Sequence, residues 1–153
     1  DNTIVIWDVE TGKALCGSPV GHNVVNQLAF FNSCDHKVVS IHNYQIWIWD
    51  SDFKNKKLKV EDVNMGSIKR IFKCVVIDPS DTFAYVGTGT GDIIEVSLEK
   101  ALFKWIGPVK RLFSLGINVI TQIPNGDLLV GAGDGTVAKI CYKDMKLKSE
   151  NKV

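Results

Sequence analysis

The amino-acid sequence predicts an all-β fold built by repeating one four-stranded unit, and three observations carry that expectation. First, one short segment returns along the chain: Asn2-Thr3-Ile4-Val5-Ile6-Trp7-Asp8, Asn43-Tyr44-Gln45-Ile46-Trp47-Ile48-Trp49-Asp50, Thr90-Gly91-Asp92-Ile93-Ile94-Glu95-Val96-Ser97 and Asp134-Gly135-Thr136-Val137-Ala138-Lys139-Ile140-Cys141. Trp7, Trp49, Val96 and Ile140 hold the same slot in it, 42, 47 and 44 residues apart. Second, the apolar segments are short, rich in Ile, Val, Phe and Trp, and bounded by Gly, Asp, Asn, Pro and Ser, which is how strands and turns read. Third, no stretch sustains a helical period, so no helix longer than a turn is expected. A period of about 40–45 residues with four short strands is the signature of a β-propeller blade.

The chain then divides into a half blade over 1–19 and blades over 20–61, 62–106 and 107–153. Inner strands are expected at Val25–Phe30, Ile71–Ile77 and Ile117–Ile123, and second strands at Lys37–Ile41, Phe83–Gly87 and Asp127–Gly131. The third strand is the recurring segment itself. The outer strand reads most weakly, at Ala14–Cys16, Leu58–Val60, Leu102–Trp105 and Met145–Leu147. Asn125-Gly126 and Asp134-Gly135 suit tight hairpins, where Gly supplies a positive φ without steric penalty. Asp78-Pro79-Ser80-Asp81 is a turn in which Pro presets φ. The Lys-rich tail after Asp144 reads as frayed or as the start of a further blade. Because the chain opens inside a repeat, about three and a half blades are expected, a partial propeller from a longer protein, since closed rings hold at least four blades.

Composition narrows the function classes. With 45% hydrophobic and 23% charged residues in 153, the chain can bury a core and is not disordered. Its net charge of +1 argues against nucleic acid as a partner. No apolar run reaches the ~18 residues of a membrane span, and no secretory pattern opens the chain, so no membrane and a cytoplasmic setting are expected. Cys16, Cys34, Cys74 and Cys141 show no metal-binding spacing and read as reduced, mostly buried thiols.

At the recurring segments the sequence resembles the WD-repeat family of β-propellers. The second blade matches best, with Gly21-His22, Ser40 and Trp49-Asp50. The resemblance implies a hydrogen-bonded chain of His22, Ser40, the turn residue Asn43 in place of the usual Asp, and Trp49. It makes Asp1 and Trp7 the surviving half of such a chain in the first blade, and places Asp134 in the corresponding turn of the fourth. The third and fourth blades lack both the His and the Trp, so their cohesion should be mainly hydrophobic. A narrower resemblance, running from residue 1 to about 141, rests on Thr3–Gly12, Cys16-Gly17-Ser18-Pro19, Lys69-Arg70-Ile71, Phe113–Gly116 and Leu128–Gly135. These are similar to the cilia- and flagella-associated WD-repeat proteins. That implies a non-enzymatic scaffold inside the doublet microtubules of the ciliary or flagellar axoneme, part of the cytoskeleton, with tubulin and neighbouring microtubule inner proteins as partners.

Candidate chemistry is sparse. The runs Gly87–Gly91 and Gly131–Gly135 lead into strands, whereas a phosphate cradle needs a helix N-terminus. His36 and His42 lie on one strand face about 20 Å apart at ~3.3 Å per residue, too far for one metal. No nucleophile, base and orienter can be assembled, and Asp92, Asp127 and Asp134 read as turn caps. No cofactor, metal or enzymatic activity is therefore expected. A ligand-binding or enzymatic propeller would need convergent carboxylates or histidines on the inner strands, which carry only amides and a hydroxyl as polar groups. An adaptor in signalling or degradation stays open as an alternative. Lys54, Lys56, Lys57 and Lys59 read either as a solvated edge that deters sheet pairing or as a contact with an acidic partner. Phe103, Trp105 and Trp47 read as packing residues; an exposed member of that set would point to a partner contact.

Overall fold

Strands such as Ile46-Trp47-Ile48-Trp49 and Ile93-Ile94 are apolar on both sides, and so need cover on both faces. A computed structural model, describing residues 2–153, shows how they get it. Strands β1 (Thr3–Asp8) and β2 (Lys13–Pro19) form a lone hairpin. The second blade is an antiparallel sheet of β3 (Val25–Phe30), β4 (Lys37–His42), β5 (Ile46–Asp52) and β6 (Lys57–Asp62). The third contains β7 (Phe72–Ile77), β8 (Phe83–Thr88), β9 (Ile93–Ser97) and β10 (Leu102–Gly107). The fourth contains β11 (Ile117–Gln122), β12 (Leu128–Ala132), β13 (Thr136–Ile140) and β14 (Leu147–Lys152). No helix occurs among the described residues.

The core consists of three seams, one between each pair of successive units. Ile4, Ile6 and Cys16 of the hairpin meet Val38 and Trp49 of the second blade. Val39, Ile41, Ile46 and Ile48 from the other face of that blade meet Val75, Ile77, Val86 and Ile94 of the third. Cys74, Tyr85 and Ile93 from the third blade's far face meet Ile120, Leu128, Val130 and Ile140 of the fourth. Neighbouring residues of one strand, Val38 and Val39 or Ile93 and Ile94, thus serve different seams, as the two-residue period of a strand requires. The seams are narrow where inner strands meet: a Cβ on Gly87 would lie 2.6 Å from Cys74 Sγ and 2.7 Å from Ile117 Cγ2.

Polar groups stitch the same seams. Asn26 Nδ2 donates to the Phe72 carbonyl at 2.6 Å, and Gln27 Oε1 accepts the Val75 N–H at 2.8 Å. Lys73 donates to the amide oxygen of Asn118. At the rim, the Asp81 carboxylate accepts the backbone N–H groups of Asn32 and Ser33, each at 2.7 Å. Burial alone would raise the pKa of Asp81; donation from Ser33 and Asn32 outweighs it and lowers the pKa to about 2. The glycine runs are turns. Gly91 adopts φ +93°, and a Cβ there would lie 2.0 Å from the Phe113 carbonyl oxygen of the next blade.

Two expectations need correction. The outer strand of the fourth blade is not 145–147. Met145 is buried in the turn at φ +52°, where its side chain fills the space over Gly107. The strand begins at Leu147, so the Lys-rich tail is paired along β13 and not frayed. Lys148 and Lys152 anchor it to Asp127 and Asp134, at 2.8 and 3.5 Å. Nor do Asp92 and Asp127 serve simply as turn caps: both are buried, and they pair with Arg70 at 3.0 Å and with Lys148 at 2.8 Å.

Two faces lack a neighbouring sheet. On the hairpin, Ile4 and Ile6 point into the first seam, while Val5 and Trp7 face outward, Trp7 with 58% of its surface accessible. On the fourth blade, Val119, Leu129 and Val137 form a second exposed apolar face. Contiguous apolar surface of this kind drives association, and weak net charge does little to oppose it. Size-exclusion chromatography with light scattering should show self-association that grows with concentration. The double variant Trp7→Lys, Val137→Lys, which places a charge on each face, should return the chain to a monomer. A monomer for the unsubstituted chain at every concentration would contradict this reading of the faces.

Candidate functional site

The connections from each outer strand to the next inner strand (20–24, 63–71 and 108–116) emerge at the same end of the sheets as the turns between second and third strands. This follows from the antiparallel strand order. It brings the polar residues of each blade to one place. In the second blade Trp49, 1% accessible, donates its indole N–H to Ser40 Oγ at 2.8 Å. Ser40 Oγ lies 2.8 Å from Nε2 of His42, which is equally buried. Since the indole can only donate, the Ser40 hydroxyl accepts it, and the same oxygen shares a second hydrogen bond with the His42 ring. Burial pushes the pKa of His42 below its ordinary value of 6.5, in keeping with a neutral ring. Trp47 packs on that ring at 4.3 Å between centroids.

The histidine of this chain is therefore His42 and not His22. His22 sits exposed in the 20–24 connection and makes no bond to Ser40. The physical reason is the strand period. Ser40 and His42 are two residues apart on β4, share a face, and reach each other without help from a loop. Asn43 is also outside the chain: it is exposed, and its Oδ1 accepts from Asn26 Nδ2 at 3.2 Å. Trp7 is exposed on the hairpin and joins no such chain among the described residues, and Asp1 lies outside the described residues.

The third blade fills the same location with different chemistry. Arg70 Nε donates to Asp92 Oδ2 at 3.0 Å, and Thr88 Oγ1 donates to Asp92 Oδ1. An ion pair thus adds to the hydrophobic packing of this blade. In the fourth blade Asp134 does cap its turn, accepting the Thr136 N–H at 3.0 Å, and sits 3.5 Å from Lys152. At the opposite end of that sheet, hydrogen bonding from Lys148 lowers the pKa of the buried Asp127.

No group of three or more His, Cys, Asp or Glu that could hold a metal occurs among the described residues. The four cysteines are free thiols, and burial pushes that of Cys74 up to about 11. Lys54, Lys56, Lys57 and Lys59 are all exposed, at the turn between β5 and β6 and along β6, and none is ion-paired among the described residues. Trp105 on β10 is exposed, unlike Phe103 and Trp47, which are half-buried.

No family model matches the chain. It is 43% identical over 137 residues to cilia- and flagella-associated protein 52 of Chlamydomonas reinhardtii, an alignment covering 90% of this chain and 22% of that protein. The protein of the same name from Homo sapiens is 37% identical over 138 residues, covering 88% and 22%. The chain thus spans about a fifth of the length of these relatives. Among solved structures, the β-propeller domain of Myceliophteria thermophila Cps50 (Swd1) superposes with a TM-score of 0.78 at 13% identity, covering 99% of this chain and 54% of that one. That likeness shows the fold: the hairpin and three sheets are an arc of a β-propeller.

Three substitutions test the network in the second blade. Trp49→Ala should cost roughly 3–5 kcal/mol, as other large-to-small core changes do. His42→Ala should cost about 1–3 kcal/mol by stranding Ser40, whereas His22→Ala should stay within about 0.5 kcal/mol. Chemical denaturation would measure all three, and equal losses at His22 and His42 would contradict the assignment. A pH series adds an independent check. A histidine with a lowered folded pKa contributes fully above its unfolded value of 6.5 and loses that contribution as pH falls toward the folded value. The melting temperature should therefore drop as pH falls below about 6.5, and His42→Gln should reduce that drop.

Proposed function

We propose that the chain is part of a non-enzymatic protein-interaction scaffold of the cilium or flagellum. In this reading it belongs to the axonemal cytoskeleton and sits among the inner proteins of doublet microtubules, with tubulin and neighbouring inner proteins as partners. The observation that carries the ciliary part is identity of 37–43% over about nine-tenths of the chain to proteins named for cilia and flagella. The scaffold part is supported by the fold and by how its polar groups are used. Asn26, Gln27, Lys73 and Asn118, which a channel-based enzyme would direct toward a substrate, are occupied in linking one blade to the next. The unpaired cations Lys54, Lys56, Lys57 and Lys59 offer a surface to an acidic partner, a contact that salt would weaken.

A tagged chain expressed in a ciliated cell tests the proposal. It should co-sediment with axonemes after detergent extraction and leave only as salt is raised. Charge reversal of the four lysines should lower the salt concentration needed for release. Complete loss of the tagged chain to the detergent-soluble fraction would overturn the axonemal assignment, and release unchanged by charge reversal would remove the lysines from the contact.

A further inference from the structure

Tryptophan at a blade's rim normally has no reason to face water. Yet Trp105, on the outermost strand of the third blade, exposes 51% of its surface, and Val109 beside it exposes 82%. Both border a groove of about 590 Å³ between the third and fourth blades. Met145 and Leu147 of the fourth blade and Pro108 complete its apolar lining. Both flanking sheets have all four strands, so this groove is not a gap left by an absent strand. Its floor is firm: Met145 is buried, and the space over Gly107 is already filled by it. Arg111 braces one wall, pairing with Glu150 at 2.9 Å while its guanidinium lies 5.1 Å from the Phe113 ring centre.

The charge around the groove is lopsided. Its lining holds Lys110, Arg111 and Lys146 against only Asp144. The whole chain carries a net charge of +1. Asp144 is engaged by Lys146 at 3.2 Å, and Glu150 by Arg111. Lys110 has no carboxylate partner among the described residues. An apolar groove with an exposed indole in its wall, an unpaired Lys110 at its rim and a net positive lining matches a ligand that is apolar at its anchor and anionic beside it.

We propose that this inter-blade groove docks an extended acidic peptide segment of a partner protein, seating one aromatic or leucine side chain between Trp105 and Met145 while a flanking carboxylate meets Lys110. A nucleic acid fits less well. The lining is aliphatic apart from one indole, whereas single strands need successive aromatic platforms and a track of phosphate contacts. The proposal stands whether or not the chain works in a cilium.

The full chain, immobilised, would be panned against a random peptide display library, and enriched peptides measured by fluorescence anisotropy. Enriched sequences should combine Asp or Glu with Leu, Phe or Trp, and bind more weakly as salt rises. Trp105→Ala and Lys110→Glu should each weaken binding about tenfold, in the range of interface hot spots, while Lys13→Glu, on the distant hairpin, should not. Trp105→Phe should restore part of the affinity. Circular dichroism of each variant would confirm an unchanged fold. Failure to enrich any sequence, enrichment without acidic residues, binding indifferent to both groove variants, or displacement of the peptide by oligo-dT would overturn the proposal.

Discussion

Every complete blade between two others must bury both faces of one sheet, and the rest of the structure follows from that requirement. A sheet with one wet face can alternate apolar and polar residues; these strands cannot. They instead alternate between two partners, so that Val38 and Trp49 belong to the hairpin's seam while Val39 and Ile48 belong to the third blade's. The same requirement explains the narrow approach at Gly87, where the inner strands converge and a side chain would collide with both Cys74 and Ile117. It also sets where polar groups can go. They collect at sheet ends and along inner strands, where a backbone carbonyl or a neighbouring turn can receive them, as Phe72 receives Asn26.

Two adjacent blades meet this demand at the same place with unlike chemistry. In the second, a neutral chain runs from Trp49 through Ser40 to His42. In the third, a carboxylate on Asp92 is held by Arg70 and Thr88. The neutral chain needs no counter-charge but ties its geometry to the protonation of one imidazole. The ionic version leaves a buried carboxylate that depends on Arg70, and removing one member of such a pair costs more than the pair contributes. Among the described residues the hairpin holds neither arrangement, and its Trp7 is exposed.

The repeat, the strand order and most strand positions were legible from the sequence because spacing and turn residues are local signals. The outer strand of the fourth blade was not. Leu147–Lys152 is almost entirely polar, and its pairing depends on Asp127 and Asp134, carboxylates distant in sequence. The histidine was misplaced for a related reason. The Gly21-His22 pair carried the family resemblance, whereas the signal for His42 lay in its two-residue spacing from Ser40, which puts both on the face that Trp49 approaches. Arg70 could have been noticed as a cation just ahead of an inner strand, but nothing local ties it to Asp92. The exposure of Trp105 was beyond reach, because its strand reads as apolar and only the packing of the fourth blade decides which side is covered.

Because adjacent residues of a strand report to different seams, each seam is a closed compartment of its own. A change of volume at Val39 is felt by the third blade and hardly at all by the hairpin, although Val38 is covalently next to it. Such a chain can diverge compartment by compartment: one boundary exchanges a tryptophan for a valine while the boundary on the sheet's other face stays as it was. Lineages of repeats assembled this way can lose their family likeness unevenly, and a unit whose signature residues have vanished can still be a sound member of the ring.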